Sequence, residues 1–220
     1  MADERTLLTT RIILAAILPV MKVVIADDPK MNQRFKGVHG KVQFVARDGA
    51  DRHGAALVFT DGNLEIHQGV SDDADITFSF STFEKFNAFL CGKTVIPGIR
   101  GFLKTGLLLK TVSLLLAMKL MLPDARPKDP AKKRLKVKMV IYMITTALSQ
   151  YNKGKDPDMA AWTGKQPDRI YQMSVAGEED IAAYVRVKAG KTKAGRGFYA
   201  RRRPFVHIRF SSVDAALPVL

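Results

Sequence analysis

Two rhythms of apolar and polar positions run along the chain, and each points to the element beneath it. Thr6 to Ala26 is apolar almost without interruption, the mark of a helix that buries most of its surface. Pro19 predicts a kink within it, and Asp27-Asp28-Pro29 its end. A short helix is expected from Pro29 to Lys36. The rhythm then changes to period two. Strand-like runs at Lys41–Arg47, Ala55–Thr60 and Leu64–Gln68 are separated by Asp48-Gly49 and Asp61-Gly62. Asp-Gly between apolar runs signals a hairpin, because glycine supplies the positive φ of the turn. Asp75–Ser81 alternates most cleanly, with Ile76, Phe78 and Phe80 on one face and Thr77 and Ser79 on the other.

Helical spacing returns at Ser81 or Thr82, either of which makes a good N-cap with Glu84 in the first turn. Phe83, Phe86, Phe89 and Leu90 form the apolar stripe, and Gly92 ends the helix. Phe102 to Leu122 is apolar on nearly every side, broken only by Lys104, Lys110 and Lys119. Such a helix is buried, lines a lipid cavity, or lies in a membrane. Pro123 to Pro130 reads as a linker. Ala131 to Asn152 reads as a helix that opens on Lys132, Lys133, Arg134, Lys136 and Lys138. Cations at a helix N-terminus oppose its dipole, so these are expected to meet an external partner or to be solvated. A further short helix begins at Asp156-Pro157 and contains Trp162.

The end of the chain replays its middle. Ala55-Ala56-Leu57-Val58 matches Ala182-Ala183-Tyr184-Val185, 127 positions on, and Ile76–Ser81 matches Val206–Ser211, 130 positions on. The difference fits an insertion in the loop carrying Arg201, Arg202 and Arg203. Order and pattern carry the repeat rather than identities. Leu220 aligns with Leu90, inside the equivalent helix, so either the natural chain is longer or another segment completes the second copy.

Ala74-Asp75-Ile76-Thr77-Phe78, then Ser81-Thr82-Phe83, then Ala88-Phe89-Leu90-Cys91-Gly92-Lys93 resemble the last long strand, following helix and helix end of the sterol carrier protein-2 family. Pro204 to Leu220 echoes the same pattern. The resemblance covers about residues 36–122 and again 166–220. It implies an α+β fold: a twisted, mainly antiparallel sheet covered by helices on one face, here partly duplicated. It also implies an apolar tunnel between the layers for a sterol, fatty acyl or isoprenoid lipid. Near Ile96-Pro97-Gly98-Ile99-Arg100-Gly101 the chain departs from the family, with a shortened closing strand before the leucine-rich helix. The expected organisation is an apolar helical segment at 1–35, a first lipid-binding unit at 36–122, a basic linker and helix at 123–165, and a second, incomplete unit at 166–220. The expected lining is Leu57, Phe59, Ile76, Phe78, Phe80, Phe83, Phe86, Phe89 and Leu90, with Leu103, Leu107 and Leu115 as a further wall. Read without the family, the same aromatic stripe is plain core.

Composition narrows the partners. Of 220 residues, 47% are apolar, which excludes a disordered chain, and the formal net charge is +14. Such a balance attracts an anionic membrane or nucleic acid. Segment 94–155 alone carries +11. Lys132, Lys133, Arg134, Lys136, Lys138 and Arg201–Arg203 are therefore the expected contacts to a membrane or other anion. The basic stretches 126–138 and 196–203 hold few aromatics, so nucleic-acid binding is the runner-up, beside a purely structural or interaction role. Cys91 is the only cysteine, which excludes an intrachain disulfide and suits a reducing compartment. Asp3, Glu4, Pro19 and Lys22 make the N-terminal run a packed helix rather than a signal peptide or anchor. The expectation is a cytoplasmic protein that meets membranes peripherally.

Catalytic chemistry finds no support. Gly92-Lys93-Thr94 and Gly190-Lys191-Thr192 imitate the end of a phosphate-binding loop, but Asn87 and Val185 stand where the upstream glycine is needed. His39, His53, His67 and His207 lack metal-ligand spacing. Asp72-Asp73 and Glu178-Glu179-Asp180 lie in turn-like segments. The expected function is lipid binding or transfer without catalysis and without a cofactor.

Overall fold

The N-terminal apolar run folds as one helical stretch, Glu4–Asp27, in the computed structural model, which describes residues 2–220. Asp3 caps it, accepting from the Thr6 backbone N–H at 2.6 Å. α1 (Glu4–Ile12) passes through a π turn at Ile13–Ile17 and a 3-10 turn at Leu18–Val20 into α2 (Met21–Asp27). Pro19 lacks an N–H and crowds the preceding turn, so the helical ladder changes pitch there. By length and composition this stretch could cross a membrane, yet 61% of its most apolar window is buried in the structure. It packs as the sequence expects.

Asp28 caps α3 (Pro29–Phe35), and β1 (Gly40–Asp48), β2 (Asp51–Thr60), β3 (Asn63–Gln68) and β4 (Ile76–Phe80) come next. After α4 (Phe83–Leu90) comes a three-residue β5 (Gly98–Arg100), then α5 (Thr105–Met118). The sheet runs β3-β2-β1-β4-β5. Its central pair, β1 and β4, is parallel, so the sheet is mixed. Register places Val42, Phe44 and Ala46 beside Ile76, Phe78 and Phe80, and Leu57 opposite Val42. All of these are buried, and α4 packs on β1 and β4 over them. Phe44 stacks on Phe78 at 5.0 Å between centroids, and Phe80 meets Phe86 at 5.4 Å and Phe89 at 5.1 Å.

The chain divides at residue 122: Met1–Leu122 is one compact unit and Pro123–Leu220 another. The second contains α6 (Pro130–Lys153), α7 (Pro157–Gly164), β6 (Arg169–Val175), β7 (Glu178–Lys188), β8 (Lys191–Arg196), β9 (Val206–Phe210) and α8 (Val213–Ala216). Its sheet order is β8-β7-β6-β9, and its first strand, β6, again pairs in parallel with its fourth, β9, here at the sheet edge. α6 packs on β7 and β8. Segments 1–35 and 123–165 thus each belong to the unit of the next sheet in the chain, and α6, within 123–165, contributes core to the second unit. The chain is α+β throughout.

Local details recur at matching places in the two units. Asp28 caps with its carboxylate on Met31 N, and Asp156 on Met159 N, 128 positions on. The turns Asp61-Gly62 and Ala189-Gly190 share positive φ, 49° and 79° against 48° and 71°. Gly69 N donates to Gly54 O at 2.8 Å, and Gly197 N to Ala182 O at 2.7 Å. The hairpins therefore correspond at 128 positions rather than the 127 that letters alone suggest. The slip is absorbed by a register shift at Ser174/Val175, where β7 carries extra residues from Glu178. Thr82 and Ser212, 130 apart, cap the helices after the last strand.

Candidate functional site

The lining residues expected in the first unit separate into two groups. Leu57, Phe59, Ile76, Phe78, Phe80, Phe83 and Phe86 are buried, and Phe89 and Leu90 half-buried; Phe59 stacks on Phe35 of α3, and the rings of β4 and α4 meet one another. Those rings occupy the layer in which the resemblance places a tunnel. Leu107 and Leu115 are half-buried, whereas Leu103 is 86% exposed and walls nothing. The aromatic stripe is core here, because each ring finds another ring rather than a void.

The second unit differs at the corresponding place. Where α4 brings Phe83, Phe86 and Phe89 over the first sheet, α8 has only four residues and offers Val213 and Ala216. Val206 and Ile208, the counterparts of Ile76 and Phe78, remain 38% and 49% exposed. A cleft of about 180 Å³ opens between them and the helices. Tyr171, Met173, Val206 and Ile208 form its floor; Leu148 of α6 and Met159 and Trp162 of α7 form its walls, and its exposed lining is apolar. Trp162 packs on Tyr171 at 5.3 Å, and Tyr171 on Phe205 at 6.1 Å. β6 and β9 align these side chains because Tyr171 pairs with Val206 and Met173 with Ile208, and same-face neighbours in register lie side by side.

The polar face of that sheet holds a clamp. Gln172 is 1% exposed, accepts from Tyr199 N at 3.0 Å and donates to Ala183 O at 3.0 Å and Gly197 O at 3.2 Å. Gln43 does the same in the first unit, accepting from Ser71 N at 3.0 Å and donating to Ser71 O at 2.8 Å. Both tie the loop after the third strand to the sheet.

The basic helix start has partners within its own unit. Lys133 pairs with Asp214 at 2.7 Å, Arg134 with Glu178 at 2.8 Å and also with Asp180, and Lys138 with Asp180 at 2.7 Å. Lys136 is buried and donates to Ala125 O at 2.9 Å; burial pulls its pKa down, helped by nearby Arg126. Burial alone would raise the Asp180 carboxyl, but hydrogen bonds from Lys138 and Arg134 outweigh it and bring the pKa to about 2. Lys132 stays exposed. Of the arginine loop, Arg202 pairs with Asp168 at 2.6 Å, while Arg201 and Arg203 face solvent. The cations read from sequence as an outward-facing set are thus mostly structural in α6, because the bulge in β7 places acids opposite them.

No family model, curated protein or solved structure matches this chain.

Among the described residues no cluster of three or more His, Cys, Asp or Glu could hold a metal ion. The cleft residues Leu148, Met159, Trp162, Tyr171, Met173, Val206 and Ile208 do not stand out as a site from sequence. Two signals were available: Trp162 is the only tryptophan, and Val206-His207-Ile208-Arg209-Phe210 alternates like Ile76–Phe80 without large side chains to cover it. The cleft lining contains no carboxylate, imidazole, amine or thiol, and the Tyr171 hydroxyl is engaged in donating to Gln166 Oε1 at 3.2 Å. Such an apolar, half-open cleft can bind an apolar chain and offers no acid–base pair for chemistry.

Proposed function

We propose that this chain is a non-catalytic binder of an apolar tail, fatty acyl or isoprenoid, which it takes into the cleft of the second unit. The carrying observation is the uncovered apolar floor of Tyr171, Met173, Val206 and Ile208 beneath Trp162. About 180 Å³ is less than the roughly 300 Å³ at which small-molecule pockets begin. The cleft therefore holds part of a tail, and the exposed Phe205, next to Val206 of the floor, offers further contact. Each methylene removed from water contributes about 0.8 kcal/mol, so a chain needs no polar anchor to bind. The repeated helix-and-sheet units and the strand-helix pattern resembling the sterol carrier protein-2 family support the same reading, with the site moved from the first unit to the second.

Trp162 makes the test direct, since the lone indole lines the cleft. Titrating delipidated protein with a fatty acid should shift its emission to the blue and saturate. Ile208→Asp, which puts a charge on the exposed floor, should weaken uptake by about 30-fold, the equivalent of roughly 2 kcal/mol of lost apolar contact. An unchanged Trp162 spectrum at saturating fatty acid, with no lipid extracted from the purified protein, would overturn the proposal.

A further inference from the structure

The leucine-rich segment of the first unit is apolar on two opposite sides, and only one of them has protein to pack on. Thr111, Leu114 and Met118 are buried along α5, which packs on α2 and α3. Leu109, Val112 and Leu116, at the same helical spacing on the other side, are exposed, Leu109 by 70% and Leu116 by 56%. Phe102 and Leu103 just before the helix are exposed too, as are Ile96 and Ile99 in the shortened strand region. A monomeric protein rarely leaves so many large apolar side chains together without a use for them.

Charge indicates what that use is. No acidic residue occurs between Glu84 and Asp124, while Lys93, Arg100, Lys104, Lys110 and Lys119 are interspersed among the exposed apolar positions. Unlike the cations of α6, four of these have no carboxylate partner among the described residues; Lys104 alone approaches one, Asp75, at 3.8 Å. An apolar face fringed by cations, most of them without a carboxylate partner, suits an anionic bilayer, where leucines and phenylalanine enter the acyl boundary and lysines meet lipid phosphates. At 14 residues α5 is about 21 Å long, short of the roughly 30 Å needed to cross the hydrocarbon core. It therefore lies in the membrane surface rather than through it.

We infer that Ile96–Leu116 forms a docking surface for an anionic membrane, with Phe102, Leu103, Leu109, Val112 and Leu116 inserted and Lys104 and Lys110 on headgroups. Docking brings the protein to the source of its ligand, and in that respect the inference rests on the carrier reading.

Flotation of the full chain with phosphatidylcholine vesicles, with and without phosphatidylserine, tests it. The protein should bind the phosphatidylserine vesicles, more weakly as salt rises. Leu109→Glu/Leu116→Glu, both at exposed positions, should abolish binding, and Lys104→Gln/Lys110→Gln should weaken it by about 30-fold. Arg201→Gln/Arg203→Gln, in the second unit, should change it far less. Fatty-acid uptake reported by Trp162 should be unaltered in all three variants. Uptake with no vesicle binding would overturn the docking surface and leave the carrier reading standing. Loss of vesicle binding in the Arg201/Arg203 variant alone would overturn it, and so would an oligomer in solution that Leu109→Glu/Leu116→Glu dissolves, or a tight oligonucleotide complex with no affinity for vesicles.

Discussion

Gln43 and Gln172 show what one residue can hold in place. A strand glutamine ordinarily faces water, yet both are buried and spend their amide on backbone groups of the following loop. Replacing one with leucine keeps the volume but strands the N–H that the carbonyl had satisfied, at about 1–3 kcal/mol for an unpaired buried group. Gln172→Leu should destabilise the second unit by about 2 kcal/mol in urea unfolding, with faster amide exchange at Tyr199. Neither glutamine was legible as special from sequence, because the pattern of a strand says which face a residue is on and not what will be folded down over that face. Phe78 and Phe80 were legible as apolar and inward. Whether rings so placed enclose a void or fill it depends on the size of their neighbours on α4, which periodicity does not register.

At the scale of elements, local signals and long-range ones part company. The Asp-Gly turn, the Asp-Pro helix starts, the Pro19 irregularity and the strand at Ile76–Phe80 arise from neighbouring residues and are where the pattern places them. The parallel pairing of β1 with β4 joins residues 34 apart, Val42 with Ile76, and no local rhythm states a strand's partner. The cations of α6 make the same point. Glu178-Glu179-Asp180 reads as an ordinary acidic turn, and only the bulge in β7 makes it the counterpart of Arg134 and Lys138. Asp180 titrates near 2 in the fold against 3.8 for the free group. A depressed carboxyl favours the folded state above its unfolded pKa, and that contribution disappears as pH falls through the folded value. Stability of the second unit should therefore decline between about pH 4 and pH 2. Asp180→Ala should remove that part of the acid sensitivity and, because Asp180 is about half-exposed and its charge partly screened, lower stability at neutral pH by only about 1–2 kcal/mol. An acid titration of the melting temperature for both proteins checks this.

Across the whole molecule, the net charge and the two cores are unevenly used. Residues 123–220 hold twenty lysines and arginines against nine acids, a net +11, and residues 1–122 fifteen against twelve, a net +3. Yet the cations of the more basic unit are partly consumed by its own acids, whereas among the exposed apolar positions of the less basic unit Lys93, Arg100, Lys110 and Lys119 have no carboxylate partner among the described residues and only Lys104 approaches one. Net charge by segment and the exposure of cations beside apolar side chains thus single out different units. The two cores should also be separable in unfolding. Trp162 is the only tryptophan and belongs to the second unit, so its fluorescence follows that unit while far-ultraviolet circular dichroism follows both. Phe78→Ala removes a fully packed ring from the first core, at about 3–5 kcal/mol. Two independent cores predict that this substitution moves part of the dichroism transition to lower urea and leaves the Trp162 transition where it was, so that the two probes no longer coincide. Fatty-acid uptake in the absence of urea should also stay unchanged, since the cleft belongs to the second unit. If both probes instead moved together, the units would be folding as one body; if uptake fell with Phe78→Ala while the Trp162 transition stayed, the lipid would be entering the first unit after all.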